Sequence, residues 1–121
     1  MNRRLLLMIV PVVLALVGAN LAFANSSMGA TQTTTRVQAY GTDRWDPITF
    51  YAGQLALISV TGDGATDLDL YVYDAAGNLV AKDDDELDFC YVAFTPRVTQ
   101  PYTIRVVNRG SVYNEYTLRT N

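Results

Sequence analysis

The chain has 121 residues, twelve acidic and nine basic groups and no histidine, for a net charge of −3. An acidic balance with its basic residues scattered singly argues against nucleic acid or an anionic membrane surface as a partner. A single cysteine excludes an intrachain disulfide, and the absence of histidine excludes Ser-His and Cys-His nucleophilic schemes.

The chain opens MNRRLLLMIVPVVLALVGANLAFANSS. Arg3 and Arg4 give a positive start, Leu5 to Val17 an apolar run, and Ala22-Phe23-Ala24 a small-x-small cleavage signal. Residues 1–24 therefore read as a cleaved secretory signal. A retained anchor is the competing reading, since the apolar stretch approaches the roughly 20 residues that span a bilayer. Pro11, Gly18 and Asn20 interrupt that stretch. Arg3-Arg4 before leucines loosely resembles a twin-arginine signal, but so apolar a run fits the general secretory route. The expected location is outside the cytoplasm, secreted or in the periplasm or envelope, with no membrane contact after cleavage.

Residues 25–34, small and polar without apolar period, read as a flexible leader, and residues 35–121 as one folded domain. Within it, short runs rich in Val, Ile, Tyr, Thr and Phe recur between turn residues. They fall near Thr35–Tyr40, Ile48–Tyr51, Leu55–Val60, Leu68–Tyr73, Leu79–Lys82, Phe89–Thr95, Tyr102–Asn108 and Tyr113–Arg119. Leu68, Leu70 and Val72 share one strand face, opposite Asp69, Tyr71 and Tyr73. Tyr102, Ile104 and Val106 likewise oppose Thr103, Arg105 and Val107, and Tyr116 and Leu118 oppose Thr117 and Arg119. The DAAGN segment reads as a hairpin with Gly77 at positive φ. Pro96 and Pro101 are expected to bracket a loop, because neither can donate to a central ladder. The fold class is all-β: a single antiparallel β-sandwich of seven to eight strands.

Cys90, in DFCYVAF, reads as a small buried hydrophobe, with a reactive thiol as the alternative. Trp45, in the loop-like GTDRWDP, either anchors a partner or lids one end of the core. Carboxylates gather in GDGATDLDLYVYDAAGN and in KDDDELD. Calcium takes six to eight oxygen ligands, mostly carboxylate and carbonyl. Asp67 and Asp69 lie two apart on one strand, and a hairpin centred on Ala76 would bring Asp83 opposite Asp69, with Asp84 and Asp85 beside it. Asp67, Asp69, Asp83, Asp84 and Asp85 are thus candidate calcium ligands. The competing reading is turn chemistry, with each Asp accepting from nearby backbone N–H groups. The spacing matches neither an EF-hand loop nor a repeated glycine-aspartate motif. Tyr71 and Tyr73, on the face of Asp69, are candidate binding residues for a sugar or a peptide. Paired carboxylates could in principle serve glycoside hydrolysis, but a sandwich this small fills its own interior, so no enzyme is expected.

GDGATDLDLYVYDAAGNLVAKDDD, then FTP…PYTIRVVNRG, then NEYTL, resembles the bacterial pre-peptidase C-terminal domain. The resemblance covers about Thr35 to Asn121 and implies a jelly-roll β-sandwich. Members are usually appended to secreted enzymes, whereas this chain reads as a free-standing version, with Gln100-Pro101 where members usually carry a glycine. The resemblance implies an exported, non-catalytic module, calcium-stabilised in some members, that recognises an extracellular protein or a polymer such as a polysaccharide. The alternative is a purely structural, self-associating envelope protein. An exposed aromatic patch beside the acids would favour the module; a long, unprotected apolar edge strand would favour self-association.

Overall fold

Eight strands form in chain order: β1 (Thr31–Val37), β2 (Thr42–Phe50), β3 (Ala56–Thr61), β4 (Leu68–Tyr73), β5 (Leu79–Asp83), β6 (Phe89–Phe94), β7 (Gln100–Asn108) and β8 (Asn114–Thr120). The computed structural model describes residues 31–121; the expected signal and the start of the leader lie outside the described residues. One four-stranded sheet has the order β1-β8-β3-β6 and the other β2-β7-β4-β5, every pair antiparallel. This is the jelly-roll arrangement, in which each connection at one end crosses between the sheets.

Alternation decides which faces meet. Leu68, Leu70 and Val72 of β4, Tyr102, Ile104 and Val106 of β7, and Tyr116 and Leu118 of β8 are all buried between the sheets with Ile58, Val60 and Val37. With no disulfide to hold the sheets, this apolar interior does so, at about 1.5–3 kcal/mol for each large side chain fully removed from water. Phe50, Phe94 and Tyr102 close one end, their ring centroids 5.4–5.8 Å apart. Cys90 is buried as expected, its thiol donating to the Leu68 carbonyl at 3.1 Å, and burial raises its pKa far above the ordinary thiol range.

Four expectations from the sequence need correction. β1 starts at Thr31, inside the stretch read as leader. Its threonines show no apolar period because β1 is an edge strand, yet they are β-branched and suit one; Thr34 and Thr117 pair their hydroxyls at 2.8 Å. β2 starts at Thr42, so Trp45 lies on a strand. It packs against the core and donates from Nε1 to the Tyr116 hydroxyl at 2.9 Å, which in turn donates to Asp43 at 2.8 Å. Pro47 sits where the β2 register shifts, an edge-strand bulge that needs no proline N–H. Pro101 belongs to β7 and pairs with Thr49; β4 joins β7 only from Thr103 onward, so no ladder bond is lost on that side. Finally, a shift between Val72 and Tyr73 places Asp83 opposite Leu70 rather than Asp69.

Two buried asparagines tie the loops at one end. Asn108 Nδ2 donates to the carbonyls of Val37, Gln38 and Val112, and its Oδ1 accepts from Gly110 N. Asn114 Nδ2 donates to Thr66 and Asp88, and its Oδ1 accepts from Asp63 N. The contact is so close at Gly62 that a Cβ there would collide with Asp88 and Asn114. Removing a buried amide leaves several desolvated groups unpaired, each costing about 1–3 kcal/mol. Asn114→Ala should therefore lower the urea unfolding free energy by about 2–4 kcal/mol, whereas Asn78→Ala, on an exposed turn, should cost under about 1 kcal/mol.

Candidate functional site

The loops after β3, β5 and β7 meet at the end tied by Asn114 and Asn108, and the sequence-predicted acids other than Asp74, which turns the β4–β5 hairpin at the opposite end, lie around it. Asp63 and Asp74 are turn residues. Asp63 accepts from the backbone N–H groups of Glu115 and Ala65, and Asp74 from those of Asn78 and Ala76. These bonds stabilise the charged form and hold both carboxyls below the usual range. Gly77, at φ 89°, completes the expected hairpin.

Of the five candidate ligands, three are engaged elsewhere. Asp83, turned inward by the β5 register shift, accepts from Tyr91 N at 2.9 Å. Asp84 pairs with Lys82 at 3.0 Å, which lowers its pKa. Asp85 caps its own loop by accepting from Leu87 N. Asp69 stands on the outer face of β4 and is nevertheless buried, because Arg109 lies over it with Nε 2.6 Å from Oδ2. The Arg109 Nη2 donates to the Tyr71 hydroxyl at 3.0 Å, that hydroxyl donates to Asp69 at 3.3 Å, and the Arg109 N–H donates to the Asp67 carbonyl. Arg109 thus supplies the ion-pair partner of a carboxylate that would otherwise be buried without one. The sequence contains no signal for this partner, forty residues away.

Asp67 and Asp69 keep one feature that turn chemistry does not explain: each has a buried Oδ1 without a hydrogen-bond partner. Burial and the neighbouring Asp69, Asp85 and Glu86 raise the Asp67 pKa. The residues therefore fit a cation only in part. Among the described residues, no three acidic, thiol or imidazole groups stand close enough to hold a metal ion.

Tyr71 and Tyr73 are half-buried on the outer face of β4. The Tyr71 hydroxyl is fixed in the Arg109–Asp69 network, and Arg105 lies 5.1 Å from the Tyr73 ring centroid. More exposed aromatic surface lies on β6, which sequence reasoning did not single out. Leu87 is 61% exposed, Phe89 47% and Tyr91 38%, directly after the acidic run Asp83–Glu86. Its alternation, FCYVAF with Cys90 and Val92 inward, carried that information. A shallow depression of about 290 Å³ at the opposite end of the sandwich is lined by Asp46, Pro47, Asp74, Pro101, Tyr102 and Thr103.

The raised Asp67 pKa means that the folded state binds this proton more tightly than the unfolded one, so the charge opposes folding above the folded pKa and has no effect below the unfolded one. Asp67→Asn should raise the unfolding midpoint at pH 7, and the gain should vanish as the pH falls through the carboxylate range. Thermal scans from pH 7 to pH 3 check this.

Neither a known family model nor a curated protein sequence matches the chain. Solved structures do. The pre-peptidase C-terminal domain of a collagenase from Bacillus anthracis superposes with a TM-score of 0.60 at 16% identity, over 74% of this chain and 89% of that domain. A periplasmic inhibitor of g-type lysozyme from Aeromonas hydrophila gives 0.55 at 12% identity, over 78% and 87%. A mitogen derived from Yersinia pseudotuberculosis gives 0.54 at 12% identity, over 77% and 85%. None of the three is named as an enzyme in its own right. Among the described residues no helix is long and apolar enough to cross a membrane. The chain has the jelly-roll fold of the pre-peptidase C-terminal domain.

Proposed function

We propose that the protein is an exported, non-catalytic interaction module that recognises an extracellular protein through the outer side of β6. The carrying observation is the exposed run Leu87, Phe89 and Tyr91 beside the acidic Asp84–Glu86 loop. Large apolar and aromatic side chains left in water next to charge are the composition of a docking patch, and few such anchors carry most of an interface's energy. Self-association is disfavoured at three of the four sheet edges by how they are built. β2 is broken at Pro47, β5 is short and carries Lys82, and the Tyr91 N–H of β6 is taken by Asp83. The solved neighbours support the reading only at the level of fold, and two of them are named as an inhibitor and a mitogen. The test is retention of a defined binder from the host's extracellular proteins on immobilised protein. Phe89→Ser/Tyr91→Ser should weaken it by about thirtyfold, as expected for losing about 2 kcal/mol of anchor, with the unfolding midpoint nearly unchanged. Undiminished retention by the variant, or none by the parent, overturns the proposal.

The unpartnered Oδ1 atoms of Asp67 and Asp69 favour a second reading, in which calcium stabilises the module. Calcium would supply positive charge between two carboxylates that Arg109 neutralises only on the Asp69 Oδ2 side. Binding to the native state alone adds about 2.7 kcal/mol at a hundred times the dissociation constant. The unfolding midpoint should then rise on moving from EDTA to millimolar calcium, and the rise should disappear in Asp67→Asn/Asp69→Asn. An unchanged midpoint removes calcium from the description and leaves the interaction reading standing.

A further inference from the structure

The register of the second sheet builds a basic row that no motif in the sequence announces. Arg44 pairs with Arg105, Arg105 with Tyr71, and Tyr71 with Lys82, so the four residues lie side by side across β2, β7, β4 and β5 on the outer face. With strands about 4.8 Å apart, the row is about 14 Å long. Two arginines directly opposite each other on neighbouring strands repel. Composition does not force that arrangement, since the chain has an excess of acidic residues. The two outer cations have partners of their own, Arg44 with Asp46 at 2.6 Å and Lys82 with Asp84 at 3.0 Å. Arg105, at the centre, is exposed; among the described residues no carboxylate comes within ion-pair distance of it. Its guanidinium instead lies over the Tyr73 ring, 5.1 Å from the centroid, a contact that leaves its N–H donors without a carboxylate partner. Beside it the Tyr71 ring is held by the hydroxyl bonds to Asp69 and Arg109, so little entropy is lost when something lies against it.

We propose that this row is a binding surface for an acidic polysaccharide, with a ring carboxylate forked by Arg105 and the neighbouring sugar against Tyr71. The sign of the charge selects an anion, and Arg forks match carboxylates. The aromatic ring within the row selects a polymer with flat apolar faces. This surface lies on the opposite sheet from the Phe89–Tyr91 patch, so each can fail without the other.

The test is affinity electrophoresis of the purified protein in gels containing polygalacturonate, poly-glutamate or neutral dextran. Polygalacturonate should retard it, less so at higher salt, and dextran should not. Arg105→Ala should weaken retardation about tenfold and Arg105→Lys should restore it only in part, because lysine keeps the charge but neither forks nor stacks. Arg36→Ala, on the other sheet, should leave it unchanged. An Arg105→Ala protein with an unaltered unfolding midpoint and undiminished retardation overturns the proposal. So does no retardation of the parent, or equal retardation by poly-glutamate.

Discussion

Two buried amides hold one end of this molecule together. Asn108 gathers the β1–β2 and β7–β8 loops and Asn114 the β3–β4 and β5–β6 loops, so every connection at that end is bonded to a side chain that water cannot reach. All four of these connections cross from sheet to sheet, as do β2–β3 and β6–β7 at the other end. A domain without disulfides has few other means of fixing where they cross, and a fully satisfied polar network in low dielectric is a strong one. Arg109 follows Asn108 directly and reaches Asp69 and Tyr71 from the position that Asn108 fixes. Burial of Asp69, the unpaired oxygen of Asp67 and the setting of the Tyr71 ring all depend on that one turn.

Electrostatics then separates acids that look alike on paper. Asp63 and Asp74 receive backbone N–H groups and are stabilised as anions, whereas Asp67 receives none on Oδ1 and faces three other carboxylates. The outer faces of the two sheets differ as well. One carries threonines beside the Phe89–Tyr91 edge, the other a lattice of arginines, tyrosines and carboxylates in which nearly every charge is matched. The interior is conventional, and the chemical individuality of the chain lies on these faces and in the tied loops.

The pattern in the sequence was enough for the interior. Period-two alternation in LDLYVY, YTIRVV and EYTL marked the buried faces, and DAAGN marked its hairpin through residues whose conformational preferences are local. What was illegible depends on contacts distant in the chain. The role of Arg109 needs β7 to lie beside β4, and that of Asn114 needs the β3–β4 and β5–β6 loops to converge on it. TDRWDP looks like a loop because its charges and proline are read without knowing that an edge strand exposes one face and tolerates a bulge. Asp83 leaves the candidate calcium set for a smaller reason, one residue in β5.

That residue is Val80, the extra one between Leu79 and Ala81 in the bulge opposite Val72 and Tyr73. Because side chains alternate with a period of two, the bulge decides which side of the sheet Asp83 serves. As built, Asp83 guards an edge by occupying the Tyr91 N–H. Were Val80 paired with Val72 instead of bulged out, the ladder would run on to set the same carboxylate opposite Asp69, and the edge would be left open. One unpaired residue therefore separates two different sandwiches: one that protects its flank, and one that trades that protection for a third acid beside Asp67 and Asp69. Relatives on either side of such a step would share almost every residue and differ in how they keep company with ions and with one another.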